Sequence, residues 1–262
     1  MNKKYPSDLS DSQWNHIKEF FEKKKQTRGR PQEIDLREVV NAIMYILVTG
    51  CQWRYLPNDY DKWQSVYYHF RKWKNSGWWK RIHDTVRCAA RVKAGRHKHP
   101  TAGSLDSQSV KNSCLSGEAH GFDAGKKVNG RKRHIVVDTL GFLMAIVVTS
   151  AAVQDRDGAM ILLKRLDGSA KKMRKIWVDG GYRGILLEWV KLNFRFCLEV
   201  ILRISEQKGF VILPKRWVVE RTFAWLNNNR RMSKDYERYC QTSETFVYIA
   251  MTRLMLNRLY SS

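Results

Sequence analysis

Acid is scarce in this sequence. Its 262 residues hold 25 Asp and Glu against 48 Lys and Arg, a formal charge of +23. Such an imbalance opposes compaction unless a polyanion screens it. Nucleic acid is the leading partner on that ground, with an anionic membrane surface behind it. Cysteine is sparse too. Cys51, Cys88, Cys114, Cys197 and Cys240 are odd in number and scattered, without a CxxC pair. That argues against a zinc knuckle and fits reduced thiols in a cytosol. Long apolar runs are missing: the longest, FLMAIVVTSAAV at 142–153, is too short to span a bilayer. The N-terminal MNKKYPSDLSDSQW lacks the apolar stretch of a signal peptide. The membrane partner thereby loses its main support. No internal repeat is visible. Apolar residues are plentiful, at 43%, and 10 Trp, 11 Tyr and 10 Phe argue for a packed core over disorder.

The first hundred residues read as helical. SDSQWNHIKEFFEKK opens on Ser10 and Asp11 as caps, and Trp14, Ile17, Phe20 and Phe21 recur at helical spacing. KKKQTRGRPQ is a basic connector. Asp35 starts a second helix, LREVVNAIMYILV, which Gly50 ends. After the turn CQWRYLPNDY come a third helix near DKWQSVYYHFRKWKNS and a fourth from Trp78 to about Lys93. Two readings fit this pattern: a helix-turn-helix-like DNA-binding module and a plain helical bundle. ARVKAGRHKHPTAG, residues 90–103, is basic and aperiodic and marks a domain boundary. It divides a helical part, 1–95, from a second part, 96–262.

Beyond that boundary strands and helices mix. SLDSQSVK reads as a strand, and a Gly- and Lys-rich loop follows. RKRHIVVDT and FLMAIVVTS, joined by Leu140 and Gly141, read as a hairpin. DRDGAMILLKRL is helical, KIWVDGG a strand, YRGILLEWVKL a helix, LEVILRI and GFVIL strand-like, and RWVVERTFAWLNNN a helix. This order gives an α/β domain with a mixed sheet flanked by helices, matching the ribonuclease-H-like fold. The C-terminal SETFVYIAMTRLMLNRLY packs back as a helix.

Three carboxylates stand at element ends. Asp106 lies in the first strand, Asp179 ends KIWVD, and Glu220 lies in the last helix of the mixed part. Sites in open α/β sheets form at such strand ends. Mg²⁺ takes carboxylate, phosphate and water oxygens, and two ions about 3.5–4 Å apart can serve in-line attack on a phosphodiester. Three clustered carboxylates repel without a cation. Each acid also has a plain reading. Asp179 can start a turn with Gly180 and Gly181. Glu220 can pair with Arg216 at i,i+4 for about 0.2–0.5 kcal/mol. Projected at about 100° per residue, Arg216, Glu220, Asn227 and Arg231 share a narrow polar stripe. Ser107, Ser109 and Tyr182 lie near the acids without an adjacent base to activate them. His134 reads either as a site neighbour or as a strand histidine bonded to its surroundings.

On TGCQWRYLP, LDSQSVK, GFDAGKKVNGRKRHIVVDTLG, VDGGYRG and RWVVERTFAWLNNNRRMSKDYER, in that order, nearly the whole chain resembles DDE transposases of bacterial insertion sequences, most closely family five. The resemblance implies that Asp106, Asp179 and Glu220 are the catalytic and metal-binding triad. It implies two Mg²⁺ or Mn²⁺ ions per site and double-stranded DNA as partner, both as terminal inverted repeats and as target. It further implies a homodimer at synapsis, a cytoplasmic, nucleoid-associated location, and neither a membrane nor a small-molecule substrate. The wider superfamily's tyrosine and lysine positions hold Leu213 and Asn227 here, while Arg216 keeps its three-residue gap to Glu220. Arg216, Arg230 and Arg231 are expected on DNA phosphates. Lys126, Lys127, Arg131, Lys132 and Arg133, in a glycine-punctuated run leading into a strand, are expected to add sequence-independent affinity. Arg54 is expected to reach DNA from the helical part. A nuclease or resolvase that cuts without joining, and a transposase-derived DNA-binding regulator, are the rival functions.

Overall fold

A computed structural model describes residues 5–22, 34–113, 117, 119–166, 170–202 and 215–260. The connector KKKQTRGRPQ, the strand expected at GFVIL, and Leu213 lie outside the described residues. The helices of the first part begin and end where local chemistry dictates. Ser10 caps α1 (Asp11–Ile17) in a reciprocal capping box with Gln13. The Asp35 side chain accepts from the Arg37 N–H to open α2 (Leu36–Thr49), and Gly50, at φ +73°, closes it in the left-handed region. Gly77, at φ +69°, separates α3 (Trp63–Asn75) from α4 (Trp78–Lys93).

The mixed part builds one sheet from β1 (Ala102–Lys111), β2 (Gly121–Asp123), β3 (Val128–Asp138), β4 (Leu143–Ser150), β5 (Lys175–Val178) and β6 (Cys197–Val200). β3 pairs antiparallel with β1 on one side and with β4 on the other, and β1 then pairs parallel with β5 and β5 with β6. The helices α5 (Asp155–Lys164), α6 (Ile185–Asn193), α7 (Trp217–Asn227) and α8 (Cys240–Tyr260) cover it. The β3–β4 hairpin falls where the sequence places it. Asp138 accepts from the N–H groups of Leu140 and Phe142, and Gly141 takes φ +83°. The short β2 was read as loop, because three residues carry no periodicity.

Strand alternation divides the core in two. Val136, Met144, Ala145 and Val147 pack against α5 and α6. Ile135, Val137, Leu143, Ile146 and Val148 face the other way, into one cluster with α7, α8 and the helices α1 to α4. The boundary drawn at 95 lies between α4 and β1, yet the helices before it share their core with the sheet and α8. An ion pair and a hydrogen bond cross that junction. Arg91 of α4 pairs with Asp138, which is fully buried at the end of β3. Arg231, just after α7, donates to the Cys51 carbonyl at the end of the α2 turn.

Candidate active site

The sheet register brings the first two acids level. β1 and β5 run parallel, with Ser104 opposite Trp177. Two residues on, past the last paired position, stand Asp106 and Asp179. Residues two apart on a strand share a face, so both carboxylates lie on the face of Ser104 and Trp177. The chain entering α7 rests on that face: the Ser104 hydroxyl donates to the Lys215 carbonyl at 2.6 Å, and the Lys215 ammonium sits 5.2 Å from the Trp177 ring centre. Glu220 follows within the first turns of α7.

Asp106 accepts from the Ser107 N–H at 2.7 Å. Burial pushes its carboxyl up to about 6. Asp179 adds to the push, while the Ser107 N–H, Arg216 and Lys126 oppose it. Asp179 serves both readings at once. One oxygen caps the turn Gly180–Tyr182 by accepting from the Gly181 N–H at 2.8 Å, while the other faces Arg216. Glu220 is the most exposed of the three, at 54%.

Arg216 joins them. A single guanidinium nitrogen, Nη2, lies 3.9 Å from Asp106, 3.7 Å from Asp179 and 3.9 Å from Glu220. Three acids from three elements thus converge on one cationic atom. The i,i+4 pair read from the sequence is only one arm of that arrangement. The donor set is all oxygen, which suits a hard divalent cation. Among the described residues no three such groups stand at coordination spacing; with Arg216 between them, the carboxylates are held apart.

A second polar network lies on the opposite face of β1. The Ser107 hydroxyl donates to Asp155 at the start of α5, and the Lys126 ammonium donates to the Ser107 carbonyl and hydroxyl. Lys132 pairs with both Asp123 and Asp155, and Ser109 donates to Asp123. Asp155 was read only as a helix start, and its place beside the site had no signal beyond an acid at a helix N-terminus. Among the described residues the buried Tyr182 hydroxyl meets no partner at hydrogen-bond geometry, and burial raises its pKa well above the ordinary value. His134 is the bonded strand histidine. Its Nε2 meets the Thr149 hydroxyl at 3.0 Å, and burial lowers its pKa to about 4.

Four expected DNA contacts are corrected by burial. Arg131, Lys132 and Arg133 belong to β3, which both core layers cover, so their side chains point inward. Arg131 holds Asp235 and the carbonyls of Glu237 and Arg238, and Arg133 holds the Met232 carbonyl. Together they clamp the segment after α7 onto the sheet. Lys132 is held by Asp123, Asp155 and the Val153 carbonyl. Arg231, which falls in a separate turn after α7 and not on its stripe, pairs with buried Glu237 at 2.7 Å. Lys126, Lys127, Arg54 and Arg230 stand at exposed positions. Among the described residues no helix is long and apolar enough to cross a membrane.

A central sheet of antiparallel β4, β3 and β1 continued by parallel β5 and β6, with helices on both faces, defines the ribonuclease-H-like class of α/β domain. Residues 97–255 match the family model described as "Transposase DDE domain", and residues 9–83 match the one described as "Putative transposase of IS4/5 family". The chain belongs to the DDE transposases of the IS4/5 type. It is similar to "Putative transposase for insertion sequence element IS402" from Burkholderia cepacia, being 30% identical over 137 residues. That match covers 50% of this chain and 64% of the relative, so the chain spans under two thirds of that protein's length.

Proposed function

We propose that this chain is a divalent-metal-dependent DNA transposase that binds its element's terminal inverted repeats, cuts at the element ends and joins the freed 3′ ends to target DNA. The observation that carries this reading is the convergence of Asp106, Asp179 and Glu220 on the single Arg216 nitrogen. A carboxylate cluster is out of place on a chain of charge +23 facing DNA unless it seats cations. Asp106, Asp179 and Glu220 are the residues that would hold Mg²⁺ or Mn²⁺, two ions per site; bound there, the ions polarise the attacking and departing oxygens.

The chain's own residues do the rest. Asp106, in the middle of β1, and Asp179, just past the end of β5, set the position of the reacting phosphodiester, while Glu220 closes from α7. Arg216 has a planar fork suited to a phosphate oxygen once it turns from the acids. In the first step a water oxygen bonds to phosphorus, the bond from phosphorus to the 3′ oxygen breaks, and that oxygen leaves protonated. In the second step the freed 3′-OH attacks a target phosphodiester in the same way, and a 3′ oxygen of the target leaves. Residues 1–95 supply DNA binding and 96–262 the chemistry. Lys126, Lys127, Arg54 and Arg230 lie on phosphates, and two copies meet at synapsis in a cytoplasmic, nucleoid-bound complex.

The test is purified protein with Mg²⁺ or Mn²⁺ and labelled duplex carrying the inverted repeats that flank the gene. The unmutated chain is expected to cut and join, and Asp106→Ala and Glu220→Ala to do neither. Cutting without joining makes it a nuclease. Binding with neither activity makes it a regulator. Full activity in the alanine variants sinks the triad assignment.

A further inference from the structure

Behind the end of α7, away from the acids, α7 and α8 enclose a cavity of about 310 Å³. Trp225, Asn228, Asn229, Arg253, Asn257 and Arg258 line it, and no acid does. Its two cations are unusual. Arg253 is half-buried, and among the described residues it makes no hydrogen bond and no ion pair; burial is the sole cause that lowers its pKa. Arg258 spends its guanidinium on ring faces, 4.2 Å from the centre of Trp225 and 5.3 Å from that of Phe142. Other buried arginines of this chain are matched to acids: Arg91 to Asp138, Arg131 to Asp235, Arg231 to Glu237. A half-buried cation without an anion is costly to keep. Asn257 accepts from Gln13 through its oxygen, which leaves its amide N–H groups for another acceptor.

We infer that this cavity binds a backbone phosphate of duplex DNA, with Arg253 as its principal grip and Asn228, Asn257 and Arg258 around it. The inference rests on the transposase reading and extends it to a site outside the acids. Two cations, amide donors and no carboxylate match a phosphodiester in charge and in hydrogen bonding. The cavity is also well placed. Asn228 lies about 12 Å along α7 from Glu220 at the helical rise per residue. A duplex whose reacting phosphate sits at Glu220 therefore has neighbouring phosphates within reach.

The competing role is structural. Arg253 stands near the C-terminal end of α7, where a cation is favoured by the helix dipole. The two roles differ in measurable ways. Arg253→Met should leave the melting temperature of the DNA-free protein unchanged or raised, because it removes an unpaired cation. On a labelled 30-base-pair duplex of mixed sequence it should weaken binding several-fold and lower the slope of log affinity against log salt by about one. Arg253→Lys, which keeps the charge, should restore most of the slope. A lowered melting temperature with unchanged affinity and slope assigns Arg253 to the helix end and overturns the inference. Unchanged affinity and slope at an unchanged melting temperature overturn it as well. If the unmutated chain cuts and joins while Arg253→Met binds normally, only this inference falls. If the unmutated chain binds no duplex, the transposase reading falls with it.

Discussion

Asp179 shows how one side chain can satisfy two readings. Its cap on the Gly180–Tyr182 turn uses one oxygen, and its approach to Arg216 uses the other. Asp179→Asn should separate them. The amide oxygen still accepts from Gly181, so stability should stay within about 0.5 kcal/mol in chemical denaturation. The lost charge should slow DNA cutting by about 100-fold or more. A large loss of stability, or retained cutting, contradicts the dual role. The acids were legible because a strand-ending Asp and a lone Glu among apolar and basic neighbours break local preference. Arg216's position between all three was not, since spacing reveals only its i,i+4 relation to Glu220. The buried arginines were misread for a similar reason. Charge in one dimension does not show that Arg131 and Arg133 meet the segment 232–238, about a hundred residues away. Burial raises the Glu237 carboxyl's pKa, even with Arg231 beside it.

At the scale of elements, helix ends were the most readable feature. Ser10, Asp35 and Gly50 act as their residue types dictate. α8 is readable from sequence as a helix that packs back on the domain, not as the element that joins both parts. Residues on all its sides are buried, so it forms the axis on which both parts of the chain pack. The α5–β3 contact is close at a glycine. A Cβ on Gly158 would lie 2.1 Å from the His134 ring, which Thr149 holds in place. Gly158→Ala should therefore destabilise the protein by about 1–3 kcal/mol in urea, despite alanine's better helix propensity. Pairing it with His134→Ala should recover much of that loss. Gly158→Ala equal to or above the unmutated chain in stability would show that the ring yields.

The whole molecule ties its helical and catalytic parts together. Arg91 to Asp138 and Arg231 to Cys51 cross the boundary, and one hydrophobic cluster spans it. The helices α1 to α4 and α7 are thereby held in fixed relation, which on the proposed function suits an enzyme that cuts at a set distance from the sequence it reads. The segment 90–103 runs from the last turn of α4 into the start of β1. The shared core could not be read there, because it is closed by α8, at the far end of the chain. The central claim is that Asp106, Asp179 and Glu220, drawn from three regions, form one metal site. Localised hydroxyl-radical cleavage tests it directly, with Fe²⁺ replacing Mg²⁺ and ascorbate and peroxide added. The account predicts chain breaks near 106, 179 and 220 together, suppressed by excess Mg²⁺ and lost at all three in Asp106→Asn. Breaks at only one of these places, or elsewhere in the chain, would contradict it.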